Sequence, residues 1–286
     1  MISDITLGQF FPGYSPIHRL DPRTKIILTF LFITAVFVAN NPLAFLVLTL
    51  TAFTLVVLSQ ISVSVVLKGI KPIMLIILFT ALINVFMTKG EGEPLVEFWV
   101  IKIYLEGIVR AVFMALRVLV LIVGTSVLLT YTTSPIALTD GLESLLSPLK
   151  KIGAPVHTFA MMMSIALRFI PTLVEETEKI MNAQKSRGAD FTQGSLVKRA
   201  KALVPLLIPL IISSFKRAEE LATAMECRCY RGDKNRTKLV KLTYRLRDLA
   251  WFLIVVAFMG AIISLRILPS HIDINSTVLK VLLYTI

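Results

Sequence analysis

Two short strings in this 286-residue chain carry its most pointed chemistry: Ala183-Gln184-Lys185-Ser186-Arg187-Gly188 and Ala224-Met225-Glu226-Cys227-Arg228-Cys229. In each, an arginine stands between two small residues, with an alanine four positions earlier on the same helix face. An acidic cluster precedes each string (Glu175, Glu176 and Glu178; Glu219 and Glu220), and an aspartate follows (Asp190; Asp233). A guanidinium is permanently charged and offers five N–H donors in a fixed fork, suited to the carboxylates and carbonyls of a partner groove. Small flanking residues let such a helix end approach another backbone closely, and Gly188 can stop its helix in the left-handed conformation. The macrodipole favours arginine near any helix C-terminus, so one such string alone reads as an ordinary helix end. Two of them point to two like partners, or to a dimer of partners. The chemistry they offer is docking.

Residues for catalysis form no constellation. His18, His157 and His271 stand far apart, with no H-E-x-x-H or G-x-S-x-G string. Cys227 and Cys229 project about 200° apart on a helix, and no nearby His or Cys suggests zinc. No glycine is followed by lysine, so there is no Walker A string. If ATP drives this protein, the ATPase is another chain.

The elements that must position these strings belong to a membrane protein. Hydrophobic residues make up 56% of the chain and charged residues only 17%, against about 25% charged in a soluble domain; mean hydropathy is +0.79. The first residues, MISDITLGQFFPGYSP, lack the early basic residue of a cleavable signal peptide. Apolar runs at 26–38, 43–58, from after Pro72 to near Met87, 108–130 and 250–265 predict five spanning helices. The first is short, and is expected to extend past its flanks or to tilt. Arg19, Arg23 and Lys25 flank the first run, Lys68 and Lys71 lie in the loop before the third, and the loop 88–107 carries Glu91, Glu93, Glu97 and Glu106. The positive-inside rule then places the N-terminus in the cytoplasm and the acidic loop outside.

Most of the surplus charge lies in one internal segment. The chain carries 30 Lys+Arg against 18 Asp+Glu, a net of +12, and residues 131–247 alone hold 19 against 10. Two long helical patterns occupy this segment, from Pro155 to Gly188 and from Ser195 to Cys229, each apolar first and charged in its last turns. Pro171, Pro205 and Pro209 should kink them. The apolar runs 157–173 and 203–213 could be short spans, which would give seven crossings; Arg168 and the two prolines of the second run favour membrane-surface or buried helices, and five spans. Nucleic-acid binding is disfavoured, because the basic residues are interleaved with acids and aromatic stacking platforms are lacking.

A stand-alone secondary transporter or permease is the competing membrane reading. Such proteins usually bury ionisable groups near the midplane, and the five runs contain no Asp or Glu. Arg110 and Arg117 lie seven apart on one face of the fourth. Arg110 can snorkel to the outer interface, and Arg117 reads as a helix-packing or partner-facing group.

Four stretches together resemble the transmembrane T component of energy-coupling factor (ECF) transporters: His18-Arg19-Leu20-Asp21-Pro22-Arg23-Thr24-Lys25; Thr139-Asp140-Gly141-Leu142-Glu143 with Ser147-Pro148-Leu149; Ala166-Leu167-Arg168-Phe169-Ile170-Pro171-Thr172-Leu173; and the pair Ser186-Arg187-Gly188 and Cys227-Arg228-Cys229. The family's commonest form of the last is A-R-G. Here Ser186, Cys227 and Cys229 depart from it but remain small. The resemblance implies an all-α polytopic fold of about five transmembrane helices with a cytoplasmic helical coupling domain: residues 1–131 membrane region, 132–246 coupling domain, 247–286 C-terminal transmembrane helix and tail. It further implies a non-catalytic coupling subunit in the cell membrane that binds no cofactor itself, with ATP and Mg on two ABC-type ATPase partners. Those partners would seat Arg187 and Arg228 with their small neighbours, Ala183 and Ala224 supporting. A small membrane substrate-binding (S) subunit would pack on the apolar coupling helices, Met161, Met162 and Met163 being candidate contacts beside membrane lipid.

Overall fold

A computed structural model of the chain describes residues 10–88, 96–98, 101–189, 195–232 and 242–267. Asp190, Asp233, His271, residues 1–9 and the loop glutamates Glu91 and Glu93 lie outside the described residues. Among those described, the helices are α1 (Pro22–Val38), α2 (Pro42–Ser59), α3 (Val63–Ile70), α4 (Met74–Met87), α5 (Leu105–Thr125), α6 (Pro135–Leu146), α7 (Val156–Ser186), α8 (Leu196–Cys227) and α9 (Leu246–Ile267). A π-helical turn, Ser126–Tyr131, continues α5, and a 3-10 turn, Ser147–Ile152, follows α6. Among the described residues the fold is all-helical but for one small ribbon, in which β1 (Val96–Phe98) pairs antiparallel with β2 (Ile101–Ile103), Val96 opposite Ile103.

The described residues fall into two compact units, one within Leu142–Lys241 and the other within Gly8–Gly141 and Leu242–Ile286. In the second unit α5 is the central helix: α1, α2, α3 and α4 all pack on it, and α9 packs on α1. The core brings together Phe32, Val36, Leu48, Leu55, Val120 and Val127. Gly124 lets α5 approach α1 closely, since a Cβ there would collide with the Phe32 ring. In the other unit α7 packs on α8.

Among the described residues, four helical segments are long and apolar enough to cross a bilayer: Pro42–Ser59, Leu105–Tyr131, Val156–Ser186 and Leu246–Ser264. A fifth arises if α3 and α4, bent by 58° at their junction, form one broken span. This set differs in membership from the five sequence runs. α1 has 17 residues and so reaches only about 25 Å, short of the roughly 30 Å hydrocarbon core, whereas α7 qualifies by its length and apolar first half. Lys68, assigned above to a loop, lies in α3, whose Val66 and Ile70 are buried. Both α7 and α8 run unbroken through their prolines.

Candidate functional site

The two arginine strings fold into the same terminal device. α7 ends at Ser186, Arg187 is its C-cap, and Gly188 follows with φ +87°. The Gly188 N–H donates to the Lys185 carbonyl at 2.9 Å, and the Ala189 N–H to the Gln184 carbonyl at 3.0 Å. α8 ends at Cys227, Arg228 follows, and Cys229 takes φ +55°. There the Cys229 N–H donates to the Glu226 carbonyl at 2.8 Å, and the Tyr230 N–H to the Met225 carbonyl at 3.0 Å. Each is the paired-bond Schellman termination, with the arginine on the last half-helical residue. Left-handed backbone suits glycine at position 188 and costs a β-carbon about 1–2 kcal/mol at Cys229.

Exposure repeats with the geometry. Ala183, Ser186, Arg187 and Gly188 are exposed, as are Ala224, Cys227, Arg228 and Cys229, while Gln184 and its counterpart Met225 are half-buried. Both cysteines are free thiols. Each tip therefore offers a solvent-facing guanidinium at the negative end of a helix dipole, bordered by side chains too small to hold a partner off. The arrangement can grip acidic and carbonyl oxygens.

Behind the tips, Arg217 Nη2 of α8 donates to Glu176 Oε2 of α7 at 3.0 Å, with both side chains half-buried. His157, in the first turn of α7, pairs through Nδ1 with Glu143 Oε1 at 2.9 Å, so Glu143 of the Thr139-to-Glu143 string anchors the start of α7. Met162 and Met163 are exposed and Met161 is half-buried; Arg168 is exposed. The larger exposed apolar surface lies on α8, at Leu207, Ile208, Ile211, Ile212 and Phe215. Glu176, Arg217 and this stripe were not singled out as site residues from sequence, although the constant spacing of the strings could have located the ion pair.

The other unit holds the His18-to-Lys25 string, where it ties helix ends together. Asp21 caps α1 by accepting from the Arg23 N–H at 2.9 Å, and its own N–H donates to Asp248 Oδ1 at 2.9 Å. Asp248 Oδ2 accepts from the Arg245 N–H at 2.8 Å and so caps α9. Arg23 Nη2 donates to the Leu242 carbonyl at 3.0 Å, and its guanidinium lies 5.0 Å from the Tyr244 ring centroid. Lys25 is 1% exposed; its Nζ donates to the Thr132 carbonyl at 2.8 Å and to Thr133 Oγ1 at 3.1 Å. His18 lies between Ser15 Oγ, 2.6 Å from Nδ1, and the Phe11 carbonyl, 2.9 Å from Nε2. Burial pushes its pKa below the ordinary 6.5. Arg117 Nη2 donates to the Ala39 carbonyl at 2.8 Å, at the end of α1, and its guanidinium lies 5.1 Å from the Phe45 ring centroid. Arg117 is a helix-packing group.

Comparison with known proteins gives these features a setting. Residues 13–239 match the family CbiQ, described as cobalt transport protein. The chain is 53% identical over 267 residues to the energy-coupling factor transporter transmembrane protein EcfT of Ruminiclostridium cellulolyticum, covering 93% of this chain and 98% of that one. It is 52% identical over 248 residues to the EcfT protein of Clostridium kluyveri, covering 87% and 92%. With the EcfT protein of Bacillus subtilis it shares 48% identity over 266 residues, covering 93% and 100%.

Proposed function

The chain belongs to the CbiQ family as a non-catalytic, multi-pass transmembrane component of an energy-coupling factor transporter, and on that premise we propose that Arg187 and Arg228 are the points at which it takes up force from ATPase subunits. The observation that carries this reading is the duplicated cap: two long helices with the same backbone termination, each presenting an exposed arginine between small residues. A protein with one docking partner needs one such tip. Two like tips suit two like ABC-type ATPases, each lining its groove with acceptor oxygens.

In this reading residues 132–246 are the coupling domain, and residues 1–131 with 247–286 the membrane region. A cytoplasmic N-terminus is supported by the positive-inside rule, from Arg19, Arg23 and Lys25 around the start of α1. ATP and magnesium belong to the ATPase partners. Closure of the ATPases draws on the caps, α7 and α8 shift, and a small membrane S subunit seated on their exposed apolar faces reorients with its cargo. Met162, Met163, Ile208, Ile212 and Phe215 supply such a face. The guanidinium forks bond and release oxygen acceptors; no covalent step passes through them.

The test replaces both arginines with glutamate and measures the ATPase recovered with the chain from membranes. Reversing two charges at a docked, desolvated contact costs several kcal/mol, so recovery should fall by about tenfold or more. Insertion should be unchanged, since both side chains are solvent-exposed. Undiminished recovery would overturn the assignment, as would a double variant that fails to accumulate in the membrane.

A further inference from the structure

The two long helices are related by a constant offset in sequence. Arg187 corresponds to Arg228, Ala183 to Ala224 and Glu178 to Glu219. The same offset carries Glu176 onto Arg217, and these two side chains touch, at 3.0 Å. In a two-fold pair, a residue meets its own counterpart only where the symmetry axis passes. A strict repeat would set like charges against each other there. The sequence breaks the repeat at that point, placing opposite charges at 176 and 217 while keeping glutamate at both 178 and 219.

The ion pair is also equidistant from the tips. Glu176 lies eleven residues before Arg187, and Arg217 eleven before Arg228. Eleven residues are about 16 Å of helix and three turns, returning to within about 20° of the starting face. The two arms are thus equal in length and in angular position about their axes. Both side chains are half-buried, and a charge-assisted bond between fixed positions on two packed helices sets their register.

We propose that Glu176 and Arg217 are positioning residues: they pin α7 to α8 at the pseudo-two-fold axis, so that the two arginine caps keep a fixed separation and are offered to a symmetric pair of acceptors. Displacement of one cap is then passed to the other. The coupling role rests on the docking assignment above; the pinning does not.

The experiment measures the distance between spin labels on native Cys227 and on Ser186→Cys, its counterpart, in the full chain in lipid nanodiscs with Cys229→Gly. A single narrow distance is expected. Glu176→Arg or Arg217→Glu alone, each bringing like charges together, should lose it, and the swap Glu176→Arg with Arg217→Glu should restore it. Should the reversed singles misfold, Glu176→Gln should broaden the distribution and Arg217→Lys should keep it narrow. A narrow distance in either reversed single or in Glu176→Gln, or no restoration in the swap, overturns the proposal. The measurement needs no ATPase, so it fails independently of docking, which is read by ATPase recovery.

Discussion

Cys229 holds its helix end in a conformation that a β-carbon resists, and that strain is measurable. Cys229→Gly should stabilise the last turn of α8 by about 1 kcal/mol, read as slower amide exchange at Tyr230, whose N–H bonds to Met225; unchanged exchange would mean the strain is relieved elsewhere. Arg187 and Arg228 were legible from their small neighbours, and Gly188 announces a left-handed stop. Cys229 gives no such signal, because cysteine has no preference for that region, and its left-handed backbone shows in the structure alone. The ionisable residues of the membrane unit were read from position alone. Position leaves Arg117 between packing and partner contact, and its bond to the Ala39 carbonyl and its place beside the Phe45 ring decide for packing.

At the scale of elements, the membrane unit depends on polar ties between helix ends. Asp248 alone accepts from two backbone N–H groups, those of Asp21 and Arg245, and is 4% exposed. Asp248→Ala should cost about 1–3 kcal/mol by leaving the buried Asp21 N–H unpaired and uncapping α9. Lys25→Met, which empties the site at Thr132 and Thr133, should cost a similar amount. Arg19→Ala, at an exposed position, should cost little. Thermal unfolding in detergent orders the three, and a loss at Arg19 matching the others would contradict this ranking. The long helices are readable from their apolar periodicity, with Pro155 and Gly188 bracketing the first; the expected limits 155–188 and 195–229 fall within a few residues of α7 and α8. α3 escaped because eight residues with a lysine look like a loop, although Val66 and Ile70 face inward. The ribbon escaped because three-residue strands are too short to show an alternating pattern. The ties escaped for a different reason: Asp21 and Asp248 are distant in the chain, and no local rule pairs them.

The whole molecule is uneven in composition. Apolar residues build the membrane helices, while the basic segment 131–247 carries the two tips. Hydropathy marks a multi-pass membrane protein, but not which helices suffice to span: α1 falls short in length and α7 does not. The internal symmetry of α7 and α8 was visible only as two similar strings until the Glu176–Arg217 contact marked its axis. The central claim is that the tips are seated on ATPase subunits in the assembled transporter, and the chain carries its own reporters, because the free, exposed thiols Cys227 and Cys229 flank Arg228. Maleimide labelling of these thiols should be suppressed in membranes holding the assembled complex and return once the ATPases are stripped away. Equal labelling in both states would show the α8 tip free in solvent and contradict its role as a coupling point.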